Sequence, residues 1–267
     1  MKKVLTIAGS DSCGGAGIQA DIKTMDAMGV YGMSVICAVT AQNTQGVTAV
    51  QEIAPEIVRA QLKAIFDDIR VDAVKIGMVS SSEIIRVIRE ELCHYQAKNI
   101  VLDPVMVSKS GYYLLKEDAV AELKSLLAIA DIVTPNIPEA EVLTGLKITT
   151  MEGMQEAALR ITGYGAANVL VKGGHRVEDA DDLLLTAKQF RVFPGAKIPT
   201  ANTHGTGCTL SSAIASLLAR GNSVEESVGL AKAYLTEAIK NSFQLGQGVG
   251  PVGHLVQLYQ KAGISYE

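Results

Sequence analysis

A glycine-rich segment that leads straight into a helix pattern is the first place where this sequence could do chemistry. Residues 203–208 read THGTGC and are followed by TLSSAIA, a run of small and apolar residues that predicts a closely packed helix. Backbone N–H groups in such a turn point outward, and the helix dipole adds partial positive charge there. The segment therefore predicts a site for an anion such as a phosphate group.

Cys208 lies in the first turn of that predicted helix. The pKa of a thiol tends to fall at a helix N-terminus, so Cys208 could act as a base beside the phosphate site. A phosphate cradle and a base within a few residues indicate phosphoryl transfer. The alternative is a glycine turn that caps an ordinary helix, with a small buried cysteine of purely structural value.

Polar residues also follow several apolar runs. Asp103 comes after the run 99–102 and precedes Pro104, where it could bind Mg²⁺, act as a base, or serve as a turn residue. Asn136 and Glu139 are three residues apart and could ligate Mg²⁺ through water, since that ion prefers oxygen ligands. The alternative for these two residues is a helix N-cap with its capping glutamate.

The segment Lys172–Gly173–Gly174 places a cation beside bare backbone, which suits a polyphosphate, although a glycine turn with a solvated lysine is the alternative. His175 and His204 could titrate near neutral pH, but we interpret both as hydrogen-bonding turn residues.

Asp21 and Gln42 are a carboxylate and an amide that could converge on a pocket. Glutamine offers both a donor and an acceptor, so this pair could recognise the edge of a heterocycle. Taken locally, each is also consistent with an ordinary surface polar residue.

Short apolar runs alternate with helical patterns along most of the chain, which predicts parallel βαβ units in a sheet covered on both faces. The predicted parallel strands are residues 4–8, 34–39, 73–76, 99–102, 130–133 and 168–171, and residues 183–185 and 189–193 form an antiparallel hairpin at one edge. The predicted helices are residues 14–28, 55–69, 81–93 and a long helix that begins at Ser223, where Ser223 and Glu226 match a capping box.

Functional polar residues in such sheets collect at the carboxyl ends of the strands. The polar and glycine-rich spots of this sequence fall at those ends, at residues 9–17, 40–43, 77–78, 103–107, 134–139, 172–175 and 203–208. This agreement predicts one active cleft.

Composition limits the class of protein. The chain has 267 residues, enough for one large α/β domain, and its net charge of −4 offers no basic excess for nucleic acid or anionic membranes. No apolar stretch approaches the ~18 residues of a membrane span. The four cysteines are widely spaced without a CxxC pair, which suits a reducing cytosol and indicates a cytoplasmic protein.

Two nucleotide-binding motifs are excluded. The sequence contains no GxxxxGK[ST], so it is not a P-loop protein. Residues 15–20 match GxGxxA formally, but the match begins several residues after the first strand, and no acidic residue ends the second strand to hold a ribose. Any nucleotide must be held in another way.

Taken together, the motifs resemble those of the hydroxymethylpyrimidine/phosphomethylpyrimidine kinases of thiamine biosynthesis, in the ribokinase-like superfamily. The resemblance follows the whole chain in order, at residues 8–21, 41–44, 75–78, 102–106, 134–140, 172–175, 203–208 and 250–254. It implies a single ribokinase-like domain over residues 1–267, a three-layer α/β sandwich whose mostly parallel central sheet has helices on both faces. It also implies a homodimer and ATP-dependent phosphorylation of the hydroxymethylpyrimidine, then of its monophosphate.

The resemblance also implies roles for individual residues. Gln42 would read the aminopyrimidine, helped by Asp21, in a pocket lined by Gly9, Thr40, Met78 and Val105. Asn136 and Glu139 would order Mg²⁺ with Asp103 nearby. Lys172 and Gly173 would meet the ATP phosphates, Gly205, Thr206 and Gly207 would form an anion hole, and Cys208 would be the base.

Two features separate this sequence from the related pyridoxal kinases. Those relatives tend to carry Met at the position of Gln42 and a lid cysteine after Pro104, whereas residues 105–111 here read VMVSKSG. Both differences favour the pyrimidine as substrate. A pyridoxal or pyridoxine kinase, and a non-catalytic ligand-binding protein on the same fold, are the alternatives.

Overall fold

A nine-stranded mixed sheet forms the centre of the molecule, in the strand order β3-β2-β1-β4-β5-β6-β7-β8-β9. The computed structural model describes residues 1–106, 119–174, 176, 179–187 and 189–264. The strands are β1 (Lys3–Asp11), β2 (Tyr31–Asn43), β3 (Gly46–Glu52), β4 (Ala73–Ile76), β5 (Ile100–Leu102), β6 (Ile132–Val133), β7 (Asn168–Val171), β8 (Asp182–Thr186) and β9 (Gln189–Phe193).

The six strands from β2 to β7 in this order are parallel, and β3, β8 and β9 pair antiparallel at the two edges. The predicted parallel strands and the predicted edge hairpin are therefore confirmed. The sequence analysis missed β3, which pairs with the last residues of a β2 strand much longer than the predicted 34–39. Most of β3 is exposed or half-buried, so it lacks the apolar run that identifies a buried strand.

Helices cover both faces of the sheet. The helices are α1 (Gly17–Ala27), α2 (Pro55–Phe66), α3 (Ser82–His94), α4 (Ala119–Leu127), α5 (Ile137–Thr144), α6 (Met151–Thr162), α7 (Thr206–Ala219), α8 (Val224–Lys240) and α9 (Val256–Ala262). One core lies between the sheet and helices α2 to α6, and a second lies between the sheet and helices α1, α7 and α8. This is the predicted three-layer α/β sandwich. None of the described helices is long and apolar enough to span a bilayer.

The local signals for helix ends were mostly reliable. Ser223 caps α8, and the capping box with Glu226 is present as predicted. The helix predicted over residues 55–69 ends at Phe66, so the apolar side chain of Ile69 lies beyond it and packs on the core from the following loop.

A fully buried ion pair joins β4 to α1 on the face of the sheet that α1 and α7 cover. Both side chains are completely inaccessible, and Lys75 Nζ lies 2.8 Å from Asp21 Oδ2. The same carboxylate accepts hydrogen bonds from the hydroxyls of Thr6 on β1 (2.6 Å) and Ser212 on α7 (2.7 Å). Two strands and two helices are therefore fixed to one another through Asp21.

We expect the buried pair to matter far more for stability than an exposed one. Lys75→Met would leave the Asp21 carboxylate buried without its cation, which should lower the free energy of unfolding by about 3–5 kcal/mol. Urea denaturation at pH 7 measures this.

The matched control is Lys2→Met, which removes a half-exposed lysine that lies 3.4 Å from Asp72. We expect that variant to lose less than about 1 kcal/mol. Equal losses in the two variants would show that Lys75 does not neutralise Asp21.

Candidate active site

A cleft of about 670 Å³ opens at the carboxyl ends of the parallel strands. It is lined by the carboxyl-terminal residues of β1 and β2, by residues that follow β4, β5, β6 and β7, and by the start of α7. The lining includes Gly9, Thr40, Gln42, Met78, Asp103, Val105, Asn136, Glu139, Lys172, Gly205, Thr206, Gly207 and Cys208. Each segment predicted to border a cleft contributes described residues to this one.

The turn before α7 depends on glycine. Gly205 caps the helix in the left-handed region with φ 81°, and a Cβ there would lie only 1.8 Å from the carbonyl oxygen of Gly15. The first N–H groups of α7 have no carbonyl partner within the helix, as at every helix start. Because Thr206, Gly207 and Cys208 line the cleft, this helix start faces the space where an anion can bind.

Lys172 lies close both to the α7 turn and to the carboxylates at the strand ends. Its Nζ lies 2.7 Å from Asp103 Oδ1 and 4.0 Å from Glu139 Oε2. A Cβ on Gly207 would lie 3.4 Å from Lys172 Nζ and 3.3 Å from Asp103 Oδ2. Burial by itself would lower the pKa of Lys172, but the charges of Asp103 and Glu139 raise it above its usual value. Lys172 is therefore a permanent cation beside the predicted anion site.

Asn136 and Glu139 form a capping box at the start of α5. The Asn136 side chain accepts from the Glu139 N–H at 2.9 Å, and Glu139 Oε2 accepts from the Asn136 N–H at 2.7 Å. The helix N-cap with its capping glutamate, which was the alternative to a magnesium site for this pair, is therefore present. Both residues also line the cleft.

The cleft has few resident metal ligands. Within the part of the chain that the structure describes, no group of three or more His, Cys, Asp or Glu side chains could hold a metal ion. Mg²⁺ usually keeps several waters and takes one or two carboxylates plus substrate phosphates. Asp103, Asn136 and Glu139 fit that mode of binding, in which most ligands come from water and phosphate.

Gln42 lies near the end of β2 among the residues predicted to surround the substrate ring. Gly9, Thr40, Met78 and Val105 line the same cleft. A Cβ on Gly9 would meet Met78 Cε at 2.4 Å, so glycine lets the methionine lie flat against β1. The amide of Gln42 contacts Thr40 Oγ1 at 3.1 Å and His204 Nε2 at 3.3 Å.

Two predicted contacts are corrected by the structure. Asp21 is fully buried under the cleft and is absent from its lining, because Lys75, Thr6 and Ser212 engage its carboxylate. Gly173 is also absent from the lining, and its N–H donates to Asp182 Oδ1 at 2.8 Å. Asp21 supports the site from below, and Gly173 positions the β7–β8 connection.

The expectation of an acidic Cys208 is also corrected. The residue is partly exposed to the cleft, but desolvation of the thiol raises its pKa to about 11, and the opposing charge of Lys75 does not compensate. Asp21 and Asp103 disfavour the thiolate further. Desolvation outweighs the effect of the helix N-terminus on the Cys208 pKa, so the thiol is protonated at neutral pH.

Sequence analysis missed Asp11 as a site residue. Its carboxylate accepts from the N–H groups of Cys13, Gly15 and Ala16 and lies 2.8 Å from His204 Nε2. Burial by itself would raise the pKa of Asp11, but these hydrogen bonds hold it below its usual value. His204 is a hydrogen-bonding residue, as interpreted; His175 lies outside the described residues. The signal for Asp11 was its place at the carboxyl end of β1.

The far end of the cleft was also missed. It is lined by Gly195, Ala196, Lys197 and Ile198 from the β9–α7 connection and by residues of α8 such as Lys232 and Leu235. Sequence analysis interpreted residues 223 onward only as a packing helix, because nothing local shows that one end of α8 borders a cavity.

Comparisons with known proteins identify relatives over most of the chain. Residues 11–253 match the family model described as phosphomethylpyrimidine kinase. The chain is 53% identical over 255 residues to the hydroxymethylpyrimidine/phosphomethylpyrimidine kinase of Rhizobium meliloti, covering 94% of this chain and 96% of that protein. It is 51% identical over 255 residues to the thiamine biosynthesis bifunctional protein of Geobacter sulfurreducens, covering 95% of this chain and 52% of that protein, so it spans about half of that relative.

Two solved structures are also similar. The phosphomethylpyrimidine kinase of Clostridium difficile 630 is 53% identical with a TM-score of 0.81, covering 90% of this chain and 100% of that chain. An ADP complex of Bacillus subtilis pyridoxal kinase is 41% identical with a TM-score of 0.90, covering 97% of this chain and 99% of that chain.

The raised pKa of Cys208 can be tested by alkylation. Only the thiolate reacts, so with a pKa of about 11 the rate constant with iodoacetamide should rise about tenfold per pH unit between pH 7 and 10. Peptide mass spectrometry at timed intervals follows the modification of Cys208. The exposed Cys93 in the same digest reports the active reagent. A plateau near neutral pH would instead indicate a thiolate stabilised by the helix N-terminus.

Proposed function

Because the chain belongs to the phosphomethylpyrimidine kinase family, we propose that its cleft holds the pyrimidine beside Gln42 and the phosphates of ATP beside Lys172 and the start of α7. The chain is a hydroxymethylpyrimidine/phosphomethylpyrimidine kinase of thiamine biosynthesis. The observation that carries the proposed site is the presence of Gln42 and Lys172 in the lining of one cleft with the α7 turn.

The transferred phosphoryl group would lie at the start of α7. Phosphoryl transfer depends mainly on alignment and on stabilising charge at the phosphate oxygens. The N–H groups of Gly207 and Cys208 and the ammonium of Lys172 supply that stabilisation. The ADP complex of the pyridoxal kinase relative supports a nucleotide in this fold.

We propose that Asp103, Asn136 and Glu139 hold Mg²⁺ through water at the nucleotide phosphates. When bound, this ion would neutralise phosphate charge during transfer. Lys172 lies 2.7 Å from the Asp103 carboxylate and 4.0 Å from the Glu139 carboxylate, so its ammonium offsets part of their negative charge.

The two acceptors place different demands on Cys208. The first acceptor is a hydroxyl and must lose a proton, whereas the second is a phosphate that is already ionised. With its pKa raised to about 11 by desolvation, Cys208 is a protonated thiol at pH 7. Cys208 can therefore accept the proton only when cationic charge in the loaded cleft favours its thiolate.

A homodimer in the cytoplasm is also proposed. Among the described residues the four cysteines are free thiols, which suits a reducing compartment. Tyr31 and Val39 on β2 are exposed apolar residues that a second copy could cover. A mass of one chain by light scattering would contradict the dimer.

Gln42→Met tests the substrate assignment. We expect kcat/KM for the hydroxymethylpyrimidine to fall by about 5–150-fold, because an unpaired buried polar edge costs roughly 1–3 kcal/mol. Activity on pyridoxal should fall much less. The measurement is a coupled ADP-release assay on each substrate.

The control variant is Gln45→Met, in the turn between β2 and β3, where the exposed Gln45 side chain contacts Gln247. It should leave both activities unchanged. Equal losses on both substrates in Gln42→Met would show that Gln42 does not read the ring.

Glu139→Gln tests the magnesium proposal. Glutamine can keep the capping box, so α5 should remain intact while one carboxylate charge is lost. We expect the Mg²⁺ concentration for half-maximal rate to rise about tenfold or more. Titration of the rate with MgCl₂ at saturating ATP measures it.

Glu141→Gln is the matched control, since Glu141 is on the same helix and its carboxylate accepts from the Ile148 N–H. Its magnesium dependence should equal that of the wild type. If Glu139→Gln instead weakens binding of the pyrimidine alone in a calorimetric titration, Glu139 belongs to the substrate pocket.

A further inference from the structure

The side-chain amide of Gln42 lies between two groups that constrain which way it can point. Thr40 Oγ1 is 3.1 Å from the amide oxygen, and His204 Nε2 is 3.3 Å from the amide nitrogen. Exchanging the oxygen and nitrogen of an amide changes its hydrogen bonds but not its shape. Steric fit therefore does not distinguish the two orientations of the Gln42 amide, and its hydrogen-bonding partners determine which one is present.

Asp11 fixes the proton on His204. Asp11 Oδ2 accepts from the N–H groups of Gly15 (3.1 Å) and Ala16 (2.8 Å) and lies 2.8 Å from His204 Nε2. An ionised carboxylate can only accept, and the pKa of Asp11 is held below its usual value against the effect of burial. Nε2 must therefore carry a hydrogen, and it cannot accept one from the Gln42 amide.

Thr40, on the other side of the amide, is compatible with this orientation. Its hydroxyl has one hydrogen, and the carbonyl oxygen of Ser10 lies 3.0 Å away as an acceptor. If Thr40 donates to Ser10, the hydroxyl can only accept from Gln42. The Gln42 amide nitrogen must then face Thr40 and its oxygen must face His204, so that every donor in the group has an acceptor.

The His204 ring has little freedom to change this arrangement. The residue is 8% exposed, and its backbone N–H donates to the carbonyl oxygen of Gly250 at 3.0 Å. A Cβ on Gly15 would lie 2.3 Å from the His204 Cδ2 atom, so the ring packs directly on the bare backbone of that glycine. Ring position and proton position are both determined before a substrate arrives.

We propose that His204, held as the Nε2–H form by Asp11, is a specificity-positioning residue that fixes the Gln42 amide with its oxygen toward His204 and its nitrogen toward Thr40. The inference rests on the proposed role of Gln42 in reading the pyrimidine. Gln42 then offers a free lone pair on the His204 side and a free N–H on the Thr40 side. An aminopyrimidine would bind with its amino group toward His204 and its ring nitrogen toward Thr40.

The first test needs no activity. Long-range ¹H–¹⁵N correlation spectra of the ligand-free protein at pH 7 report which His204 ring nitrogen carries the hydrogen. His204→Gln supplies the assignment by removing one set of ring signals. We expect a protonated Nε2. A hydrogen on Nδ1 alone would overturn the proposal, and this measurement decides even if a variant described next fails to fold.

The second test compares two substrates, the aminopyrimidine and its analogue that lacks the amino group. In His204→Phe the amide loses its orientation, so the ratio of kcat/KM for the two substrates should fall about tenfold or more. In His204→Gln a side-chain N–H can still reach Asp11 and Gln42, and the ratio should stay within about threefold of the wild type.

The matched control is His254→Phe. His254 is also buried, lies 3.0 Å from Thr209 Oγ1 and is outside the lining of the cleft. It should affect both substrates equally and leave their ratio unchanged. An unchanged ratio in His204→Phe would overturn the positioning role. Absence of wild-type activity on the aminopyrimidine would instead refute the proposed function, whatever the spectra show.

Discussion

The buried ion pair between Lys75 and Asp21 determines how the walls of the cleft meet. The carboxylate of Asp21, on α1, pairs with Lys75 on β4 and accepts hydrogen bonds from Thr6 on β1 and Ser212 on α7. Asp21 is one helical turn after Gly17, and Ser212 is one turn after Cys208, so the pair fixes the starts of both helices that border the cleft. A completely desolvated lysine and aspartate are stable together and costly apart, so these elements have one arrangement.

The carboxylates at the strand ends repeat this principle nearer to solvent. Asp103 is paired with Lys172, and Asp11 is surrounded by three backbone N–H groups and His204. Each negative charge has fixed partners before any ligand arrives. The cleft is therefore organised in advance, and binding need not spend free energy on ordering its polar groups.

Cys208 shows how a tertiary environment overrides a local rule. A helix N-terminus favours a thiolate, but the Cys208 thiol is desolvated and lies near the carboxylates of Asp21 and Asp103 as well as the ammonium of Lys75. Desolvation outweighs the dipole because removing water from a charge costs more than one helix end returns. In phosphoryl transfer, where alignment and charge stabilisation dominate, a thiol that is only weakly acidic is compatible with a working site.

The sequence by itself determined the order of the parallel strands and most of the cleft. Apolar runs, glycine turns and polar strand ends are local features, so β1, β4, β7, the α7 turn, Lys172 and Gln42 could be predicted from short windows. Only the tertiary structure decided which polar groups become partners. Asp21 does not line the cleft because its carboxylate binds Lys75, which is 54 residues away in sequence but 2.8 Å away in space. Asp11 becomes part of the site through His204, which is 193 residues away in sequence. Such pairings depend on the packing of β4 and α7 against β1, which no local pattern encodes.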